Sequence, residues 1–322
     1  MSGIHHVTAI AGSVVPNLDF YTHILGLRFV KKTVNFDDPA TYHLYYGDRI
    51  GHPGTILTFF PWQHAVPGRG GVGLARQTSF RIPAHAIGYW VHRFIEKGVA
   101  HEALDERFGE TALSFADPEG MSLALIGVAD AECESAWTAG EIPPEHAIRG
   151  FHSVTLMLDD VAPTASILSN VFGFKPAGQD GPLERFHASE RVGGIVDLRG
   201  ARGFLPGQLG RGSVHHIAFR AQDDAAQADM AHKVAKEYHL QPTPQIDRQY
   251  FRSVYFREPG GILFEIATDE PGFAADEPVE QLGHDLKLPA FLEARRLEIE
   301  TFLRTLKIAD RVHSVPQQEP RS

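Results

Sequence analysis

The sequence predicts an α+β protein built from four βαβββ modules, paired into two cup-shaped half-barrels, with modules 1 and 4 forming a metal-bearing cup. Three observations carry this expectation. Related strand openings recur four times: Gly3-Ile4-His5-His6-Val7-Thr8, Ala75-Arg76-Gln77-Thr78-Ser79-Phe80, Gly150-Phe151-His152-Ser153-Val154-Thr155 and Val214-His215-His216-Ile217-Ala218-Phe219. Each opening precedes a helical stretch and then further strand-like runs, without the strict βα alternation of doubly wound folds. The two histidine pairs fall in the first and last copies, which makes those two the partners at one site. A single module leaves the concave face of its sheet uncovered, so two must pack together.

The elements follow in order. After the first opening, Leu18-Asp19-Phe20-Tyr21 through Leu25-Gly26-Leu27 reads as a helix closed by glycine. Ala165-Ser166-Ile167-Leu168 through Phe172-Gly173-Phe174 repeats it in the third unit. In both, glycine sits where a helix end favours positive φ. Residues 85–98 and 225–240 serve as the helices of the second and fourth units. Strand runs such as Thr41-Tyr42-His43-Leu44-Tyr45-Tyr46 and Thr55-Ile56-Leu57-Thr58-Phe59-Phe60 close the first unit. The Ala-, Glu- and Pro-rich stretch 129–149 reads as a linker between an N-terminal domain, 1–128, and a C-terminal domain, 150–268. Residues 269–322 form an extension on the outside with one charged helix over 289–307, whose apolar set is Phe291, Leu292, Leu297, Ile299, Phe302 and Leu303.

Composition removes several classes of function. The chain has 322 residues, 43% of them hydrophobic and 22% charged, which is ordinary for a globular protein with a sizeable core. Its net charge of −10, with no long basic run, argues against a nucleic-acid partner. No segment approaches the roughly 20 apolar residues of a membrane span, and no basic leader precedes an apolar one, so a cytoplasmic location is expected. The single cysteine, Cys133, excludes an internal disulfide.

Two imidazoles and a carboxylate then form the strongest chemical signal. In a strand alternate side chains share a face, so His6 and Thr8 look one way while His5 and Val7 look the other. The repeat aligns His6 with His216, which puts these imidazoles on opposite walls of one cup. Glu265 lies inside the apolar run Ile262-Leu263-Phe264-Ile266, where an unpartnered carboxylate is expensive. His6, His216 and Glu265 thus have the makings of a facial triad with open coordination positions, a geometry that commonly serves Fe(II) with O2. Aligning the last strands sets Glu265 against Phe59, Ala124 and Leu198, and the first strands set the histidines against Gln77 and Ser153. Units two and three are accordingly expected to bind no metal. Asp197 falls one position out of register with Glu265 and is expected to face the other side of its sheet.

At these residues the chain resembles the vicinal oxygen chelate superfamily, and within it the ring-cleaving dioxygenases that open hydroquinones and chlorohydroquinones. The similarity runs through His5-His6-Val7-Thr8, Tyr42-His43-Leu44-Tyr45-Tyr46, Arg149-Gly150-Phe151-His152-Ser153, His215-His216, Tyr255-Phe256-Arg257-Glu258-Pro259-Gly260-Gly261 and Leu282-Gly283-His284-Asp285-Leu286-Lys287. The resemblance implies Fe(II), with Mn(II) as the other compatible ion, held by His6, His216 and Glu265. It implies a small aromatic diol and O2 as partners and leaves assembly as a homo-oligomer open. It further implies pocket roles for His5, Thr8, His215, Arg248 and Tyr255, with Arg248 and Tyr255 steadying anions and His5 or His215 moving a proton. His5 and His215 require a local bulge to reach the pocket. Two other outcomes are compatible with these modules. One is a glyoxalase-like isomerase, which generally uses a carboxylate from each paired module, where this chain aligns Phe59. The other is a non-catalytic protein that sequesters an aromatic compound.

Overall fold

The computed structural model describes residues 2–138 and 140–304. Module 1 comprises β1 (Ile4–Ala11), α1 (Val14–Asp19) running into a π-turn (Phe20–Ile24), β2 (Arg28–Asn35), β3 (Asp38–Gly47) and β4 (Ile56–Pro61). Module 2 comprises β5 (Leu74–Pro83), α2 (Ile87–Lys97), β6 (Asp105–Arg107), β7 (Glu110–Ala116) and β8 (Ser122–Val128). Module 3 comprises β9 (Phe151–Leu158), α3 (Ala162–Asn170), β10 (Lys175–Asp180), β11 (Leu183–His187) and β12 (Ile195–Gly200). Module 4 comprises β13 (Ser213–Ala221), α4 (Asp224–Tyr238), β14 (Ile246–Asp247), β15 (Arg252–Arg257) and β16 (Leu263–Thr268). The two expected glycine stops are present, Gly26 and Gly173 both at φ +71°.

Two eight-stranded sheets result, ordered β14-β15-β16-β13-β1-β4-β3-β2 and β10-β11-β12-β9-β5-β8-β7-β6. Modules 1 and 4 therefore share one curled sheet through the antiparallel β1–β13 pair, and modules 2 and 3 share the other through β5–β9. Within each module the first and last strands run parallel, as a crossover through the helix requires. One hydrophobic core spans both sheets and their helices, with Phe172 stacked on Phe219 at 4.2 Å between ring centroids. Because β1, β4 and β9 are buried along their whole length, they are apolar or uncharged on both faces. Polar side chains on the concave face must then find partners inside the cup.

The register corrects one alignment. Glu265 pairs with Ala218, Thr58 with Thr8, Ala124 with Ser79 and Asp197 with Thr155. Each first-strand partner lies two positions beyond the His6-equivalent residue, so the positions matching Glu265 are Thr58, Ala124 and Asp197. Phe59 and Leu198 belong to the opposite face and sit fully buried in the shared core. A slip of one residue reverses the face, and a strand that is apolar on both faces offers no alternation to prevent the slip. Asp197 therefore points into the second cup.

The segment between the sequence halves is packed: Ile142, Ala147 and Ile148 are buried, and the Trp90 indole N–H donates to the His146 carbonyl at 2.8 Å. The extension lies along module 1, where buried Lys31 meets Asp276 at 2.6 Å and Glu277 at 2.5 Å. Its helix begins as a 3-10 turn (Ala290–Arg295) and continues as α5 (Arg296–Arg304). Leu292, Ile299 and Leu303 are buried, whereas Phe291, Leu297 and Phe302 are exposed. The expected end of this helix, 305–307, lies outside the described residues. Among the described residues no helix is long and apolar enough to cross a membrane.

Candidate metal centre

Two symmetric bulges build the site. The β1–β13 ladder shifts by one residue between Ile4 and His6, and again between Thr8 and Ala9, where the partners run from His216 to Val214. His5 is the extra residue of one strand and His215 that of the other. A bulge turns its extra side chain out of simple alternation, so the bulge that each of these residues required is present. His5 Nδ1 stands 2.9 Å from His6 Nδ1, and His215 Nδ1 stands 2.8 Å from His216 Nδ1. Each outer imidazole thereby engages the Nδ1 of its neighbour and leaves the neighbour's Nε2 for the centre of the cup. With Nδ1–H donated outward, Nε2 carries a lone pair, the state a metal requires.

Those two Nε2 atoms converge on one carboxylate. His216 Nε2 lies 2.9 Å and His6 Nε2 lies 3.3 Å from Glu265 Oε2. The three donor atoms lie within 4.8 Å of one another. Donors at 90° on a first-row ion with bonds near 2.1 Å stand about 3 Å apart, which matches the two imidazole–carboxylate separations. Glu265 is fully buried; its Oε1 accepts from Ser253 Oγ at 2.5 Å, while Oε2 has no hydrogen-bond donor. An orphaned anionic oxygen in the interior is costly, and a cation between the three groups would satisfy it. The residues fit a divalent ion.

The electrostatics keep His5, His215 and His216 neutral. Burial lowers His216 despite the adjacent Glu265, and burial together with His216 pushes His215 down to about 4. Burial and the neighbouring His6 hold His5 well below the ordinary range. Burial alone would raise the Glu265 carboxyl, but His6 and His216 outweigh it and hold the group well below the usual range.

Beside the triad opens a cavity of about 300 Å³, lined by Phe60, Trp62, Phe251, His43 and Tyr45 together with His215, Arg248 and Tyr255. Arg248 bridges modules at the mouth: its Nη2 donates to Asp37 at 3.0 Å and its Nε to the Tyr255 hydroxyl at 3.3 Å. Burial would lower the guanidinium, but Tyr255 and Asp37 raise it, so it stays cationic. Burial, then Glu265, pushes the Tyr255 phenol up. The structure thus brings together His6, His216, Glu265, His215, Arg248 and Tyr255. Thr8 is fully buried behind the cavity lining, its oxygen accepting from Thr58 at 2.9 Å, and His5 sits behind His6 against Phe251. His43, Tyr45 and Phe251 were not among the expected pocket residues. The signal for the first two was alternation, since His43 and Tyr45 share the face of β3 opposite Leu44 and Tyr46.

The second cup fills the same space with a fixed cation. Arg185 binds Asp197 through two bonds of 2.8 and 3.0 Å and Glu110 through a third of 3.0 Å, and His152 Nε2 completes the set at 3.0 Å from Glu110. Removing one partner of a buried ionic network strands the others. Arg185→Ala should therefore lower the unfolding free energy by about 3–5 kcal/mol in urea titrations. A change under about 1 kcal/mol would show that water already screens this network.

The profile of the Glyoxalase/Bleomycin resistance protein/Dioxygenase superfamily matches residues 3–132 and 150–266. The chain is 44% identical to a protein of Bacillus subtilis (strain 168) provisionally named the ring-cleaving dioxygenase MhqO, over 96% of this chain and 97% of that one. It is 35% identical to the chlorohydroquinone/hydroquinone 1,2-dioxygenase of Sphingobium indicum, over 95% of this chain and 96% of that one. A crystal structure from Bacillus subtilis, provisionally named a dioxygenase, superposes with a TM-score of 0.89 at 45% identity, covering 94% of this chain and 96% of that one. Glyoxalase I from Zea mays shares the fold at a TM-score of 0.64 and 14% identity, covering 88% and 98%. Four βαβββ modules, a buried His-His-Glu set and a profile match across both halves lead to one conclusion: the chain belongs to the glyoxalase/bleomycin resistance protein/dioxygenase superfamily.

Proposed function

We propose that this protein is an Fe(II)-dependent dioxygenase that opens the ring of a hydroquinone-type diol with O2, His6, His216 and Glu265 holding the iron. The observation that carries this reading is the orphaned Glu265 oxygen facing two Nε2 atoms beside an aromatic-lined cavity. Three protein donors leave positions for a ring oxygen and for O2. When bound, the iron would supply a Lewis acid toward the ring hydroxyl and a redox partner for O2. The names of the relatives support the same class of reaction.

The remaining work falls to side chains. Tyr255 accepts from Arg248 and stays protonated beside Ser253, so its hydroxyl keeps a hydrogen that a ring oxygen can accept. The Arg248 guanidinium places positive charge at the mouth, which steadies an anionic ligand. His215 is neutral, engages His216 through Nδ1 and faces the cavity with the rest of its ring, a suitable place to hold a proton. His5, enclosed behind His6, orients that ligand and does not reach the cavity. Phe60, Trp62 and Phe251 exclude bulk water from the reacting atoms.

The isomerase alternative requires a second carboxylate. Its place falls to Thr58, whose hydroxyl donates to Thr8 and meets His43 Nε2 at 2.7 Å. The test is oxygen uptake. Anaerobically purified, Fe(II)-loaded protein should consume one O2 per molecule of methylhydroquinone or chlorohydroquinone. Inactivity across a panel of hydroquinones and catechols would end the proposal.

A further inference from the structure

A hydrogen-bonded chain runs along the cavity wall, and its direction is determined. Thr58 Oγ donates to Thr8 Oγ at 2.9 Å, which uses the only hydrogen of the Thr58 hydroxyl. The 2.7 Å contact between Thr58 Oγ and His43 Nε2 must then have Nε2–H as donor. His43 is half-buried in the cavity wall and held neutral by its loss of solvation, so with Nε2 protonated its Nδ1 carries a lone pair. The Tyr45 hydroxyl, 2.8 Å from that Nδ1, must be the donor there. Tyr45 is packed against the His43 ring at 4.1 Å and edge-on to Phe273 at 5.0 Å, so its hydroxyl is fixed in place. Its hydrogen is committed to His43, and what remains for the cavity is an acceptor lone pair.

We infer that Tyr45 is a specificity-determining residue, held by His43 so that its oxygen offers the cavity only an acceptor and selects a ligand with a second, protonated ring hydroxyl. The inference rests on the reading of the cavity as a diol site and adds to it the protonation state recognised. A carboxylate, carbonyl or halogen at that point of the ring would meet a lone pair with no donor. A hydroxyl or an amine would meet its complement. The pocket is thus built for the mono-anion of a diol, one oxygen deprotonated toward His6, His216 and Glu265 and the other still carrying its hydrogen. This polarity originates in Thr58, the residue that stands where the module repeat would allow a second carboxylate. A carboxylate there could only accept, as the present hydroxyl does toward His43, but it could not donate onward to Thr8.

Binding to the Fe(II)-loaded protein without oxygen tests this directly. Hydroquinone and 4-aminophenol should bind about tenfold more tightly than 4-fluorophenol, which matches them in size but lacks the donor, since one unmet hydrogen bond is of that order. In Tyr45→Phe the three ligands should fall within about twofold of one another. Thr58→Val, which frees the His43 ring to change tautomer, should also shrink the discrimination and serves if Tyr45→Phe folds poorly. Nitrogen-15 NMR of the metal-free protein should show His43 protonated at Nε2 and bare at Nδ1. The opposite tautomer, or full discrimination retained in Tyr45→Phe, overturns the inference while leaving the dioxygenase reading intact. Wild-type protein that neither binds hydroquinone nor consumes oxygen overturns both.

Discussion

Glu265→Gln is expected to leave a folded protein that retains less than a tenth of an equivalent of iron and consumes oxygen at least about a thousandfold more slowly. The substitution keeps the shape of the side chain and its bond from Ser253, whose partner is Oε1. It removes the one negative charge that His6 and His216 face, and it sets an amide where a carboxylate oxygen lay 2.9 Å from His216 Nε2. Loss of an outer-sphere partner already lowers metal affinity or activity 10- to 100-fold, so loss of the anionic ligand itself must exceed that. A second readout separates chemistry from folding. Added divalent metal should raise the melting temperature of wild type, as any ligand that binds only the folded state does, by about 4 kcal/mol of stabilisation at a thousandfold excess over Kd. The variant should show no such rise. Stoichiometric iron in the variant, or an equal thermal response, would remove Glu265 from the centre and with it the mechanism.

Much of this centre was legible because it violates the local rule of its surroundings. His6, His216 and Glu265 are buried polar groups inside largely apolar strands, and the module repeat tied the two histidines to equivalent positions. What lay beyond the sequence was the register. The bulges at His5 and His215 arise from how β1 meets β13, a pairing between residues some two hundred positions apart that no local period encodes. The same blindness put Phe59 and Leu198 where Thr58 and Asp197 belong. Runs such as Ile56-Leu57-Thr58-Phe59-Phe60 are buried on both faces, so alternation carried no information there. Arg185 was invisible for a different reason: an arginine in a short strand reads as a solvated charge until its partners from β7 and β12 are known.

Acid should unfold the metal-free protein well before its carboxylates titrate. Burial depresses six histidines, His5, His43, His152, His187, His215 and His216, below the ordinary value of 6.5. Above that value both states are neutral at these rings and pH has no leverage. Below it the unfolded chain takes up protons that the folded chain refuses, so stability falls as pH falls, until each ring reaches its depressed folded value, about 4 for His215. Each such ring contributes at most about 1.4 kcal/mol of loss per pH unit in that window. His52, raised by its bond to Asp48, works in the opposite direction but is a single, largely exposed group. The depressed carboxyls of Glu110 and Glu265 add their own loss only as pH falls through the ordinary value of 4.5, where the unfolded chain takes protons that the folded groups refuse. This loss continues until the folded groups titrate. Several histidines acting together over one unit remove several kcal/mol from a total stability of about 5–15 kcal/mol. The urea midpoint should hold level from pH 8 to 7, decline steeply below 6.5, and vanish between about pH 6 and 4.5. Bound metal should sharpen the decline, because its ligands must shed protons to hold it and protons reclaim them in the same range. His152→Gln lies in the other cup, away from the metal, and should reduce the slope by one histidine's share. A midpoint that stays constant down to pH 5 would mean that these rings are solvated in the folded protein, and that the neutral imidazoles on which the centre depends are not maintained by burial.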